Sequence, residues 1–267
     1  MIGDIHLHSS FSADSEARME DVVRAAIDAG LPLICFTDHI DLDYPVEDLV
    51  FEFDIPDYFA EIGRMQELYG ERIRIFSGVE LGMQPHLGDR YRALLKEHAF
   101  DFVIGSQHLV NGQDPYYPET FEGKTDQEVY RAYFENLLED VRAFHDFDTL
   151  GHLDYVVRYG KRRARGYSYR AYADVIDEIL KLLVRWNIAL ELNTAGLRKR
   201  LGFPNPHPDI LRRYRELGGT LVTCGADAHQ PSAVGYGMKE AEEILKSCGF
   251  THYVYFSRRK PYFVRLT

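Results

Sequence analysis

Apolar positions along this chain switch between two rhythms. Short, nearly continuous apolar runs, the pattern of buried strands, alternate with longer stretches whose apolar residues recur three and four apart, the spacing of one helix face. The first run covers residues 2–7, and residues 15–29 behind it place Met19, Val22, Val23, Ala26 and Ile27 on one helical face. Gly30 and Pro32 end that helix. The same unit then repeats, with strands expected over 33–37, 73–79, 102–108, 148–151, 188–193 and 220–225. Helices are expected between them over 56–69, 89–98, 125–144, 168–186 and 207–217, and a helix over 232–247 and a strand over 253–256 finish the pattern. Seven or eight strand-helix alternations predict a parallel barrel rather than an open sheet. No linker, low-complexity tract or charge block divides them, so residues 1–267 read as one domain.

Composition narrows this picture only a little. A chain of 267 residues, 45% hydrophobic, can bury the core that such a barrel needs. Without an apolar span of membrane length or a signal-peptide pattern, a cytoplasmic protein with no membrane partner is expected. Cys35, Cys224 and Cys248 lack metal-site spacing and read as buried thiols. A net charge of −11 argues against a nucleic-acid partner, whose phosphates need many Lys and Arg contacts. A small anion in a local basic pocket remains compatible.

The ends of the apolar runs carry the chemistry. In parallel barrels the reactive groups sit on the loops after the strands, and here those places hold His6, His8, His39, Glu80, His108, His152, Asp227 and His229, with Asp14 close behind the first run. His6 and His8 lie two apart, on one face of a strand. Six imidazoles and three carboxylates with no thiolate suit Zn, Mn or Fe, whereas Ca and Mg favour all-oxygen sites. Nine ligands are too many for one ion, so three ions sharing a bridging carboxylate are expected. Asp14 reads either as a ligand or as the cap of a helix starting near Ser15. Asp38 and Asp154, each beside a proposed histidine ligand, read as acceptors that fix an imidazole tautomer, or as caps or surface charges.

His86, His98, His145, His207 and His252 read as surface or packing residues; His207, between Pro206 and Pro208, is the one nearest the expected open face. Two basic clusters, Arg158, Lys161, Arg162, Arg163 and Arg165, then Arg198, Lys199 and Arg200, follow consecutive strands and so reach one rim. Arg158 and Arg198, nearest their strand ends, are the expected phosphate ligands, since a guanidinium fork matches a phosphate dianion. Tyr117 is a further candidate through its phenol, and most of the other basic side chains are expected in solvent.

Taken together, DIHLHSSFSAD (residues 4–14), FTDH (36–39), SGVELG (77–82), VIGSQH (103–108), GHLD (151–154) and CGADAH (224–229) resemble the polymerase and histidinol phosphatase (PHP) superfamily, in family order. The resemblance implies a distorted (β/α)7 TIM-like barrel with a trinuclear metal centre. By position, His6, His8, Glu80 and Asp227 would hold one ion, Asp14, His39 and His229 a second, and Glu80, His108 and His152 a third, with Glu80 as the bridge. DFVIGSQHLV (101–110), ADAHQPSAVG (226–235) and RRKPYF (258–263) are similar to the histidinol-phosphatase branch. That branch implies a phosphomonoesterase of histidine biosynthesis acting on L-histidinol phosphate, a small-molecule substrate, with Glu80, Asp227 and His229 as its catalytic set. The rival readings are a nucleotide phosphoesterase or exonuclease of the same superfamily, an amidohydrolase, and a metal-binding regulatory module. Amidohydrolases commonly place a bridging lysine where this chain has Glu80.

Overall fold

A computed structural model describes residues 2–46, 48–162 and 164–267. Its centre is a parallel sheet of β1 (Asp4–Leu7), β2 (Leu33–Phe36), β3 (His39–Ile40), β4 (Arg74–Gly82), β5 (Phe102–Ser106), β6 (Thr149–Leu150), β7 (Ala189–Asn193) and β8 (Val222–Gly225). The strand order is β1-β2-β4-β5-β6-β7-β8, and β3 pairs with β4 beyond the end of β2. β2 and β3 therefore act as one stave of seven. The ring closes where His8 N donates to Ala228 O at 3.0 Å and Asp227 N donates to His6 O at 2.9 Å. This is the (β/α)7 barrel expected from the sequence.

The helices ring the strands because each buries one apolar stripe. They are α1 (Met19–Asp28), α2 (Ile55–Tyr69), α3 (Gly88–Glu97), α4 (Asp126–Ala143), α5 (Ala173–Trp186), the single turn α6 (Ala195–Arg198), α7 (Pro208–Glu216) and α8 (Met238–Ser247). Ile34, Phe36 and Val103 face this outer layer and share one apolar cluster with Val22, Val23 and Ala26 of α1 and Ile176, Ile179 and Leu180 of α5. The alternate residues Leu33, Cys35, Phe102 and Ile104 join a second cluster with Val254, Tyr255 and Phe256. Those last three belong to an antiparallel hairpin, β9 (His252–Ser257) and β10 (Lys260–Arg265), which plugs the N-terminal end of the barrel. The opposite end is left for the site.

Several boundaries depart from the periodic pattern for local reasons. β10 was not expected, because Lys260 to Arg265 is largely exposed and is defined by its pairing with β9 alone. The helix expected over 15–29 begins only at Met19, since Arg18 is extended and the Ser15 hydroxyl donates to His229 O at 3.0 Å. β4 runs past its expected end through Glu80 to Gly82, which places Glu80 inside the barrel wall rather than on a loop. The three cysteines are buried and unbonded. Among the described residues, no helix is long and apolar enough to cross a membrane.

One buried acid in this shell has a pH signature. Burial pushes the Asp140 carboxyl on α4 up to about 8, with Glu139 adding to the shift, and its Oδ1 has no hydrogen-bond partner among the described residues. Between the unfolded value of roughly 4 and the folded value, the native state keeps a proton that the unfolded chain releases, so stability falls as pH rises through that window. Asp140→Asn removes this loss. The Tm gain of the variant over wild type, measured by thermal melts, should grow between about pH 4 and about pH 8; a gain independent of pH contradicts the assignment.

Candidate metal centre

Each stave hands one or two side chains to the open mouth. Closure of β1 against β8 brings His6 and His8 over Asp227, and it requires Gly225, where a Cβ would overlap His6 and lie 2.9 Å from Glu191 Oε1. Asp227 sits just past β8 with φ of 52°, a left-handed conformation that Asp tolerates better than most residues. Glu80, fully buried on β4, is the centre of the cluster. Its Oε2 lies 2.9 Å from His6 Nε2, 3.4 Å from His8 Nε2 and 3.3 Å from His39 Nδ1. Its Oε1 lies 3.0 Å from His152 Nε2 and 3.3 Å from His108 Nε2.

The remaining expected ligands complete the ring. Asp227 Oδ1 is 3.6 Å from His8 Nε2 and 3.5 Å from His229 Nδ1. Asp14 Oδ2 is 3.0 Å from His229 Nε2 and 3.9 Å from His39 Nε2. Asp14 is thus no cap: α1 begins five residues later and its N-cap makes no side-chain hydrogen bond. The His8 ring stacks against both His39 and His229, at 4.3 and 4.1 Å between centroids. All nine side chains named from the sequence meet at this mouth.

The donor set fits divalent cations. Buried polar atoms are ordinarily hydrogen-bonded, yet His8 Nε2, His39 Nδ1 and Glu80 Oε1 have no such partner among the described residues. Glu80 Oε1 lies 3.0 and 3.3 Å from two imidazole nitrogens without bonding either, as expected where several lone pairs serve a shared cation. Ligand atoms of Glu80, His108 and His152 lie within 4.8 Å of one another, as do those of His6, His8 and Glu80, and of His8, His39 and His229.

The charges reinforce one another. Burial alone would raise the Glu80 carboxyl, but His6, His39 and His108 hold it well below the usual carboxylate range. Burial likewise works against ionised Asp227, and Arg158 with His6 overcomes it. Burial, with His229 and His39 alongside, holds His8 well below its ordinary value. His39 is also disfavoured by burial, but Glu80 and Asp14 push it up to about 9.

Two acids that sequence reasoning missed orient the ligands. Glu191 on β7 places Oε1 2.6 Å from His6 Nδ1, while its Oε2 accepts from His152 N at 2.8 Å. Its signal was a lone acid inside the apolar run 188–192. Asp41 places Oδ2 2.5 Å from His108 Nδ1, beside Gly82, where any Cβ would overlap the Asp41 carboxylate. Nothing local marked Asp41. The tautomer-fixing role considered for Asp38 and Asp154 is corrected. Asp38 accepts from Ser9 N at 2.6 Å and Ser12 Oγ at 2.7 Å, reaching His8 only through Ser12, whose Oγ is 3.1 Å from His8 Nδ1. Asp154 accepts from Asn205 Nδ2 at 2.6 Å and His207 N at 2.9 Å and so ties loops together.

A cavity of about 550 Å³ opens above the cluster and takes in Arg158, Arg198, Lys199 and Tyr117. Arg158 is buried and committed to protein groups: Nη1 donates to Asp227 Oδ2 at 2.9 Å, Nη2 to Asn193 Oδ1 at 2.9 Å and Nε to Asn205 Oδ1 at 2.8 Å. Arg198 donates from Nη2 to Asp227 O at 2.9 Å, and its buried Nε has no partner among the described residues. The Lys199 ammonium lies 5.4 Å from the Tyr159 ring centroid. Lys161 turns away to Phe121 O at 2.8 Å, and Arg163 lies outside the described residues. His207 caps α7, its Nδ1 accepting from Asp209 N at 3.2 Å.

A parallel barrel with a cluster of buried imidazoles and carboxylates at the C-terminal ends of its strands defines a barrel able to hold metal ions at its mouth. Residues 4–195 match the PHP domain, and the chain belongs to that family. It is 36% identical over 259 residues to a probable histidinol-phosphatase of Clostridium acetobutylicum, covering 97% of this chain and 98% of the relative. It is 34% identical over 263 residues to the histidinol-phosphatase of Lactococcus lactis, covering 96% and 95%. The crystal structure of the histidinol phosphate phosphatase of L. lactis, complexed with zinc, L-histidinol and phosphate, superimposes with a TM-score of 0.90 at 33% identity, covering 97% of this chain and 98% of that one.

The Glu191 contact carries a direct test. Glu191→Gln keeps the shape but removes the charge and leaves one acceptor for the two positions at His6 Nδ1 and His152 N. Zinc affinity, measured by competition with a chromophoric chelator, should fall about 10- to 100-fold while the circular dichroism spectrum is retained. Wild-type affinity in the variant contradicts the positioning role.

Proposed function

We propose that this chain hydrolyses L-histidinol phosphate to L-histidinol and phosphate, as a cytoplasmic step of histidine biosynthesis, with three divalent ions (Zn, Mn or Fe) held by the nine-residue cluster. One observation carries the reading: a single cavity joins that cluster to a cationic wall, in a chain alike from end to end to a phosphatase crystallised with zinc, L-histidinol and phosphate. His6, His8, Glu80 and Asp227 would hold one ion, Asp14, His39 and His229 a second, and Glu80, His108 and His152 a third. Bound divalent ions supply Lewis acidity toward the phosphoryl oxygens and lower the pKa of water at the site.

The side chains do the rest. Glu80 reaches two groups of imidazoles with separate oxygens, the arrangement of a bridging ligand. Asp227 is kept ionised by Arg158, so Arg158 acts on the ester through Asp227. The unpartnered Arg198 Nε and the Lys199 ammonium offer donors to the non-bridging phosphoryl oxygens and so hold the bound ester. Tyr117, on the same cavity wall, adds a hydroxyl.

The test is phosphate release from L-histidinol phosphate, set against nucleoside monophosphates, before and after chelation. Release from histidinol phosphate should be lost on chelation and return with Zn or Mn; turnover of the nucleotides alone overturns the substrate. Glu80→Ala should abolish turnover with the fold retained, measured by the same assay and by circular dichroism. Arg198→Ala should act mainly through KM, with kcat/KM down about 10- to 100-fold, the loss of a charge-assisted hydrogen bond.

A further inference from the structure

The cavity holds one acid with no ion-pair partner among the described residues. Four carboxylates line it: Asp14, Asp41, Asp114 and Asp227. Asp14 faces His229 and His39, Asp41 faces His108 and His39, and Asp227 faces Arg158 and the cluster imidazoles. Among the described residues, Asp114 forms no ion pair. It lies on the loop after β5, half-buried, and belongs to none of the metal-competent groups. Its Oδ2 accepts from Tyr44 OH at 2.5 Å and its Oδ1 from Tyr116 N at 2.7 Å.

An aromatic wall runs from this acid to the cationic side of the cavity. The Tyr116 and Tyr159 rings meet edge to face at 6.0 Å, and Tyr159 meets Tyr155 at 5.1 Å. Arg158 lies over Tyr155 at 5.0 Å and Lys199 over Tyr159 at 5.4 Å. A phosphomonoester bound with its phosphoryl group against the cluster and the cations lays the rest of its body along these rings.

We propose that Asp114 determines specificity by pairing with an ammonium group on the carbon next to the one bearing the ester oxygen. The proposal rests on the phosphatase reading and names the part of the substrate that the acid recognises. Arg158, Arg198, Lys199 and bound cations all repel an ammonium ion, which leaves Asp114 as the carboxylate available to it. Burial pushes the Asp114 carboxyl up, against the Tyr44 and Tyr116 hydrogen bonds that favour its charged form. A cationic ligand group would relieve that penalty.

The experiment compares kcat/KM for L-histidinol phosphate with that for imidazolylpropyl phosphate, the same ester without its amine. Asp114→Asn keeps an oxygen for Tyr116 N, turns an amide NH2 toward the Tyr44 hydroxyl and removes the charge. The selectivity ratio should fall about 10- to 100-fold in that variant, the loss of one charged hydrogen bond, and Asp114→Glu should retain more of it than the Asn variant does. On wild-type protein, L-histidinol should inhibit at least about tenfold better than its deamino counterpart. A wild-type ratio in Asp114→Asn, or equal inhibition by the two alcohols, overturns the role of Asp114 alone. Wild-type protein that hydrolyses neither ester overturns the phosphatase reading, and this proposal with it.

Discussion

The structure turns on one buried carboxylate. Glu80 has no solvent contact, yet its two oxygens lie within 3.4 Å of five imidazoles. An isolated carboxylate so placed would be strongly disfavoured and would take up a proton. Surrounding it with imidazoles reverses that preference and makes a site where anionic and neutral donors converge. The barrel exists, in this sense, to bring residues far apart in the chain to one carboxylate.

That convergence depends on backbone features with no chemistry of their own. The hydrogen bonds between β1 and β8 fix His6 and His8 relative to Asp227, and Gly225 allows the approach. A surrounding layer then fixes orientation: Glu191 on His6, Asp41 on His108, Ser12 on His8 and Arg158 on Asp227. The His6, His8 and His108 rings have few rotamers to choose from once the far nitrogen is held, so these donors are set in advance.

Charge is sorted along the cavity in the same spirit. Cations from the loops after β6 and β7 gather at one part of the wall, tyrosines continue it, and on the loop after β5 stands Asp114, which forms no ion pair among the described residues. A phosphomonoester that also carries an amine is complementary to that order. The likeness to the L. lactis enzyme over nearly the whole of both chains accords with it.

The barrel and its nine-residue cluster were legible in the sequence because both follow from local patterns. Short, nearly continuous apolar runs, helices with period three to four, and donors at the run ends name the staves and the mouth without any knowledge of distant contacts. What escaped were facts that depend on which segments meet in space. β10 is largely exposed despite the apolar run Tyr262 to Val264 and exists through its pairing with β9, Asp41 is one acid among several in its loop, and Asp38 and Asp154 sit beside ligands in sequence but turn toward Ser9, Ser12 and Asn205. Neighbours along the chain share a peptide, not a direction. The list of donors was therefore set by the order of residues, while which acid holds which imidazole, and which carboxylate of the cavity forms no ion pair among the described residues, was decided only when the staves closed into a ring.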